Sequence, residues 1–341
     1  MYAKRFGFCL AMVCLCGIVG CGGDSGDSDD GSALDGAGLA DSPKNVLFII
    51  LDAASAQRMS LYGYGSPNTP FLESIASRSV LFTAAYSQGT MTPPSVWSYL
   101  NGKYPYLGED LATYHQMSDD DVSMARMFED AGFATGGFSE NPFVSEEFGF
   151  NQGFEEFRFR YYRPVHQADA SADATKTPEQ RFFESYRQYF RAGDVTGRLV
   201  RQAQLWMNIQ WERPWFCYLH LLRPHNPYFT DEPYLSQFVD AEPPLGETLQ
   251  KYVKDVEFLA TVNVQTRRIA GEKDSDAVSP GDLAILEQLY DAQMAYTDDV
   301  LRELFEYLDS SGLADDTLVV IASDHGESFG EHGRLLHGTE P

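Results

Sequence analysis

The chain has 341 residues, 43% of them hydrophobic, with 50 acidic against 25 basic side chains and a formal net charge of −25. That surplus argues against nucleic-acid binding and against electrostatic attachment to anionic lipid, both of which need a basic face. It does not exclude an anionic substrate, because a cation held in a cleft dominates the local field whatever the outer surface carries.

Lys4 and Arg5 precede a short apolar stretch, and Ile18-Val19-Gly20-Cys21 reads as a cleavage site ending in a cysteine. An apolar core this short suits a signal peptide better than a membrane span, which needs about 20 apolar residues. Residues 1–20 resemble the bacterial lipoprotein signal, which implies acylation of Cys21 and a lipid-anchored place in the cell envelope, periplasmic or facing outward. The alternative is an ordinary secretory signal with an incidental cysteine. Residues 21–43 are largely Gly, Ser, Ala and Asp and cannot bury enough surface to offset their ordering entropy, so they read as a flexible tether. Beyond them Cys217 is the one remaining cysteine, so the part from residue 44 to 341 contains no internal disulfide and depends on its core. That length suffices for one large domain.

Three apolar runs each end in a polar residue. Val46 to Leu51 ends at Asp52, Trp215 to Leu219 at His220, and Leu318 to Ala322 at Ser323-Asp324-His325. Continuous runs of this kind read as strands buried on both faces, as in a parallel sheet flanked by helices. Ligands of open α/β sheets bind beyond the carboxyl ends of the strands, so the three polar ends point to one edge. Between the runs, residues 122–131, 178–211 and 283–308 have helical character, the last with apolar residues at helical spacing and Gly312 just past its end. Residues 228–282 are acidic and Pro-containing and read as an irregular insertion. The fold class expected is a doubly wound, mostly parallel α/β sheet.

The segment Thr92-Pro93-Pro94-Ser95 has the pattern of a helix start, with Thr92 as N-cap. A hydroxyl there faces the positive end of the helix, a ready site for phosphate or sulfate. Ala322 to Gly333 then follows a buried strand and is dense in metal-ligand residue types. With Asp52 and the Thr92 segment, and with Leu61-Tyr62-Gly63-Tyr64, Phe82 to Ser87, Gly102-Lys103-Tyr104-Pro105 and Pro224 to Tyr228 in order along the chain, it resembles the sulfatase/alkaline phosphatase superfamily.

The resemblance implies a metal-dependent ester hydrolase. Asp52, Asp324 and His325 match metal ligands, and Thr92 matches the nucleophile that also touches the metal. His225 matches the histidine that contacts the oxyanion or leaving group. His220, His332 and His337 match substrate-binding positions, each with the alternative of a merely supporting polar histidine. A threonine hydroxyl needs a metal or a base to lose its proton. Two carboxylates, an imidazole and a hydroxyl suit Zn²⁺ or Mn²⁺ better than Ca²⁺, which prefers six to eight oxygens.

Departures from the family narrow the reading. Thr92 and Val96 replace the Cys/Ser and Arg of the formylglycine motif, Ala53 replaces a second aspartate, and Gly136 to Asn141 replaces a stretch bearing a sulfate-binding Lys and His. These changes favour the phosphoryl-transfer branch. The chain also stops where the family continues into a smaller C-terminal subdomain, so a truncated catalytic domain is expected. The substrate expected is a small-molecule, glycan or lipid anionic ester. The rival readings are a transferase that passes a phosphoglycerol- or phosphoethanolamine-type head group to an envelope acceptor, and a non-catalytic binding lipoprotein that keeps the fold.

Overall fold

A computed structural model describes residues 43–105, 116–118, 120–159, 194–210, 212–226, 228, 230, 232–239, 280–331 and 335–338. The expected signal peptide, Cys21, the tether up to residue 42, residues 178–193 of the expected 178–211 helix, most of the 228–282 insertion and His332 lie outside the described residues.

The elements in chain order are β1 (Asn45–Leu51), α1 (Pro70–Ala76), α2 (Thr92–Asn101), α3 (Met124–Asp130), β2 (Ala134–Ser139), β3 (Glu156–Phe159), α4 (Val195–Ile209), β4 (Trp215–Leu221), α5 (Tyr234–Phe238), α6 (Pro280–Ser310) and β5 (Thr317–Ala322). A short antiparallel pair, β6 (Ser328–Phe329) and β7 (Leu335–Leu336), follows. Five strands form one parallel sheet in the order β3-β2-β4-β1-β5. This is the doubly wound α/β architecture expected, and the three apolar runs are its three adjacent strands β4, β1 and β5.

Alternation along each strand divides the core into two layers. Leu47, Ile49 and Leu51 of β1 pack with Cys217 and Leu219 of β4 against α4 and α6. Phe48 and Ile50 pack with Phe216 and Tyr218 against Val96 and Leu100 of α2 and Ala125 of α3. Helices therefore cover both faces, which is why β1 and β4 read as unbroken apolar runs. Burial pushes the Cys217 thiol upward, so it is an inert core residue.

β2 carries Gly136 and Gly137 because neighbours occupy the space a Cβ would take. A Cβ at 136 would lie 2.7 Å from the Trp206 ring of α4, and one at 137 would lie 2.5 Å from Phe157 of β3. Helix α6 buries Leu286, Leu289, Tyr290, Met294, Leu301, Leu304, Phe305 and Leu308, the spacing read from the sequence. It ends as expected at Gly312, whose φ of 74° allows Leu313 N–H to reach Leu308 O and Gly312 N–H to reach Asp309 O.

Two boundaries differ from the sequence reading. β4 continues to Leu221, so His220 lies inside the strand rather than beyond it. The described part of the 228–282 insertion contains a helix, α5, and α6 begins at Pro280.

Asp298 of α6 caps α1 from outside: its carboxylate accepts the N–H groups of Phe71 and Leu72 at 2.7 and 3.0 Å. These are orphan donors of the helix's first turn, and Thr69 itself makes no cap. Burial nevertheless raises the Asp298 carboxyl from 3.8 to about 7, overriding those two bonds. The folded state thus binds this proton more tightly than the unfolded chain. Its stabilising contribution is complete below pH ~4 and is lost as pH rises through ~7. Urea midpoints of the native chain and of Asp298→Asn at pH 5 and pH 8 test this. The native chain is expected to lose on the order of 2 kcal/mol relative to the variant between those pH values. Parallel pH dependence of the two proteins would refute it.

Candidate functional site

Strand register places the chemistry at one rim. Ile50 of β1 lies opposite His220 of β4 and Ala322 of β5, and Ser139 of β2 also lies opposite His220. Asp52, Asn141 and Asp324 therefore leave the sheet at the same carboxyl edge, and α2 brings Thr92 to it. All four are buried, Asp52 completely and Thr92 to within 3%.

One oxygen of each aspartate is fixed by the protein and the other is left without a hydrogen bond. Asp52 Oδ2 accepts from Asn141 Nδ2 at 2.5 Å and from His220 Nε2 at 3.1 Å. Asp324 Oδ1 accepts the backbone N–H of Ala53 at 3.2 Å and of His325 at 3.0 Å. Asp52 Oδ1 and Asp324 Oδ2 have no hydrogen-bond partner. His325 Nδ1 sits 2.9 Å from Gly326 O, which can only accept, so Nδ1 carries the proton and Nε2 offers a lone pair. That Nε2 lies 3.5 Å from Asp52 Oδ1 and 3.6 Å from Asp324 Oδ2. Thr92 Oγ1 is 3.3 Å from the same nitrogen and accepts from Asn141 Nδ2 at 3.2 Å.

This donor set fits a cation. Asp52, Asp324 and His325 each offer a ligand atom, all within 4.8 Å of one another. Two buried carboxylate oxygens facing each other without hydrogen bonds are costly unless a positive charge sits between them. Burial alone would raise the Asp52 carboxyl. The charge of His225 and a hydrogen bond from His220 hold it well below the usual carboxylate range instead.

Asp52 is followed by a constrained turn. Ala53 has a φ of 59°, a left-handed conformation that costs a non-glycine residue about 1–3 kcal/mol. Tyr290 of α6 holds the turn, donating to Ala53 O and accepting from Ser55 N–H, both at 2.9 Å. Ser323 Oγ accepts from Ala54 N–H at 3.0 Å. The strained turn keeps Ala53 N–H aimed at Asp324.

A second group of imidazoles borders the first. The rings of His225 and His337 are 4.6 Å apart, and His337 is 4.4 Å and His225 6.2 Å from His325. His337 Nδ1 pairs with Glu327 Oε1 at 2.9 Å. Burial pushes the Glu327 carboxyl up to about 7, and burial together with His225 holds His337 down to about 3.

One expectation is corrected. Thr92 does not cap α2: Met91 is the N-cap residue, Thr92 is the first helical residue, and its hydroxyl turns to His325 and Asn141. Pro93 and Pro94 supply no N–H, so two of the helix's first four donors are missing and the expected anion cradle is depleted. For His220 the sequence leaves two readings, a substrate-binding and a supporting polar histidine, and its surroundings favour the second. It is fully buried behind Asp52, with Nε2 on Asp52 and Nδ1 2.8 Å from Tyr218 Oη, so both ring nitrogens are engaged inside the protein. His225 and His337 stand beside the centre, and His332 lies outside the described residues. Asn141, Tyr290, Ser323 and Glu327 were not anticipated as site residues. For Asn141 and Ser323 the signal is a polar residue just past a strand end; Tyr290 in the middle of α6 and Glu327 in the loop after Asp324 carry no such local mark.

A family model described as Sulfatase matches residues 44–341. The chain belongs to the sulfatase family. Superfamily members use divalent metals, in keeping with the Asp52, Asp324 and His325 group. An ulvan-active sulfatase of Formosa agariphila is 24% identical over 84% of this chain and 51% of its own length. Mouse iduronate 2-sulfatase is 23% identical over 88% of this chain and 58% of its own length. The chain thus spans about half the length of these curated relatives. Among solved structures, the phosphonate monoester hydrolase of Agrobacterium radiobacter superposes with a TM-score of 0.59 at 19% identity, covering 84% of this chain and 63% of its own. The periplasmic domain of a phosphoethanolamine transferase from Campylobacter jejuni gives 0.51 at 16% identity, covering 87% and 74%. At these identities the structures show the shared fold.

Titration of Mn²⁺ into metal-stripped protein is expected to reveal one strong site, weakened more than about 100-fold in Asp324→Asn, beyond what loss of a supporting hydrogen bond produces. Equal binding by the variant would remove Asp324 from the ligand set.

Proposed function

We propose that this protein hydrolyses a sulfate or phosphate ester through Thr92. The observation that carries the reading is a buried threonine hydroxyl 3.3 Å from His325 Nε2, beside two carboxylate oxygens that lack hydrogen bonds. Asp52, Asp324, His325 and the Thr92 oxygen would hold a divalent ion, with Zn²⁺ or Mn²⁺ suiting the donor set. Such an ion acidifies the hydroxyl and offsets charge on the attacked group.

The chain's own groups divide the remaining work. Thr92 gives up its hydroxyl proton to solvent, its Oγ attacks the sulfur or phosphorus, a new S–O or P–O bond forms, and the bond to the leaving alcohol breaks. Asn141 Nδ2, already donating to Thr92 Oγ1 and Asp52 Oδ2, orients the nucleophile against the carboxylate. His225 gives a proton to the departing oxygen. Its Nδ1 is committed to Asn226 O at 2.5 Å, so proton exchange falls to Nε2. Water then opens the threonine ester and releases the inorganic anion.

Thr92 also supports the transferase alternative, since a covalent threonine ester passes its group to whichever acceptor reaches it first. Product analysis with and without an alcohol acceptor separates the two. The direct test is mass spectrometry of the full chain quenched during turnover of an activated aryl phosphate and an aryl sulfate. One adduct is expected on the peptide containing Thr92, with none in Thr92→Ala and turnover reduced by about 10³-fold or more. An adduct that persists in Thr92→Ala would overturn the assignment.

A further inference from the structure

Behind Asp52 runs a buried chain of hydrogen bonds that the ester chemistry does not itself require. Asp52 Oδ2 meets His220 Nε2 at 3.1 Å, His220 Nδ1 meets Tyr218 Oη at 2.8 Å, and Tyr218 Oη meets Tyr99 Oη at 2.7 Å. Asp52 and His220 are fully buried. Burial pushes both phenols well above their usual range, so they stay protonated and able to donate. The donors follow by elimination. A carboxylate only accepts, so His220 Nε2 carries a proton, and in that tautomer Nδ1 accepts from Tyr218. Tyr218 in turn accepts from Tyr99. Every proton in the chain points toward Asp52.

We infer that Tyr99, Tyr218 and His220 form a positioning relay that holds Asp52 and the nucleophile in register. Two consequences of the geometry support this. With Asn141, the relay occupies Asp52 Oδ2 and so turns the other oxygen, Oδ1, toward Asp324 Oδ2 and His325 Nε2. The far end of the relay is on α2 itself: Tyr99 lies seven residues after Thr92, on the same face of that helix. One hydrogen-bonded line therefore ties the nucleophile helix through β4 to the β1 carboxylate. Edge-on contacts of Phe48 with Tyr99 at 5.7 Å and with Tyr218 at 6.0 Å brace the two phenols. Chains of buried hydrogen bonds polarise one another, which strengthens the hold on the carboxylate.

The inference rests on Asp52 holding a cation, and the test separates the two claims. Metal-stripped full chain is titrated with Mn²⁺ by calorimetry, for the native protein, Tyr218→Phe and Tyr99→Phe. Both substitutions keep the rings and remove one hydroxyl. Tyr218→Phe is expected to weaken Mn²⁺ binding about 10- to 100-fold, as loss of an outer partner of a ligand does. Tyr99→Phe is expected to weaken it about threefold, and the double variant to match Tyr218→Phe, because one break interrupts the chain. Nitrogen NMR of His220 should show the Nε2–H tautomer in the native protein and a shifted Nδ1 signal in Tyr218→Phe. That signature reports the hydrogen bond rather than general stability. Native binding with unchanged affinity in folded Tyr218→Phe overturns the relay alone. Unchanged affinity in Tyr99→Phe overturns its reach to α2, which remains decidable should Tyr218→Phe fail to fold. No Mn²⁺ binding by the native chain overturns the metal centre, and the relay with it.

Discussion

Two carboxylates, Asp52 and Asp324, leave adjacent parallel strands at the same rim, each with one oxygen held by protein donors and the other left bare. Like charges this close and this buried repel, and nothing in an apolar core of this kind would assemble them without compensation. The surrounding architecture is arranged to tolerate them. The imidazole of His225 and a hydrogen bond from His220 lower the Asp52 carboxyl against the opposing effect of burial, and the strained Ala53 turn aims a backbone N–H at Asp324. The energy stored in that turn and in the buried charges is consistent with a site completed by a cation.

Positioning comes from the sheet more than from loops. Asp52, Asn141 and Asp324 are each within two residues of a strand end, and strand register fixes their spacing. Thr92 arrives on a helix that packs on the Phe48 side of the sheet, while Tyr290 reaches the Asp52 turn from a helix on the Leu47 side. Helices on both faces thus grip one rim of the sheet.

Much of the fold was legible because burial on both faces leaves a one-dimensional trace. β1, β4 and β5 appear as unbroken apolar runs, and α6 shows its buried residues at helical spacing. What escaped the sequence was register and tertiary context. The apolar run stops at Leu219 and so places His220 beyond a strand, whereas the strand continues for two more residues. Thr92 has the local pattern of an N-cap, but consecutive prolines and the proximity of His325 redirect its hydroxyl. Asn141 was passed over as part of a missing motif, since only the folded sheet shows that the Gly136-Gly137 strand delivers an amide between Asp52 and Thr92. The capping of α1 by Asp298, some 227 residues away, has no local signature at all.

The central claim is that the Asp52, Thr92, Asp324 and His325 side chains surround a single cation. Anomalous diffraction at the absorption edge of bound Zn²⁺ or Mn²⁺ in crystals of the protein tests it most directly. One peak is expected at roughly 2.0–2.3 Å from Asp52 Oδ1, Asp324 Oδ2, His325 Nε2 and Thr92 Oγ1. A peak elsewhere, or a metal-loaded site with the Thr92 hydroxyl rotated away, would contradict it.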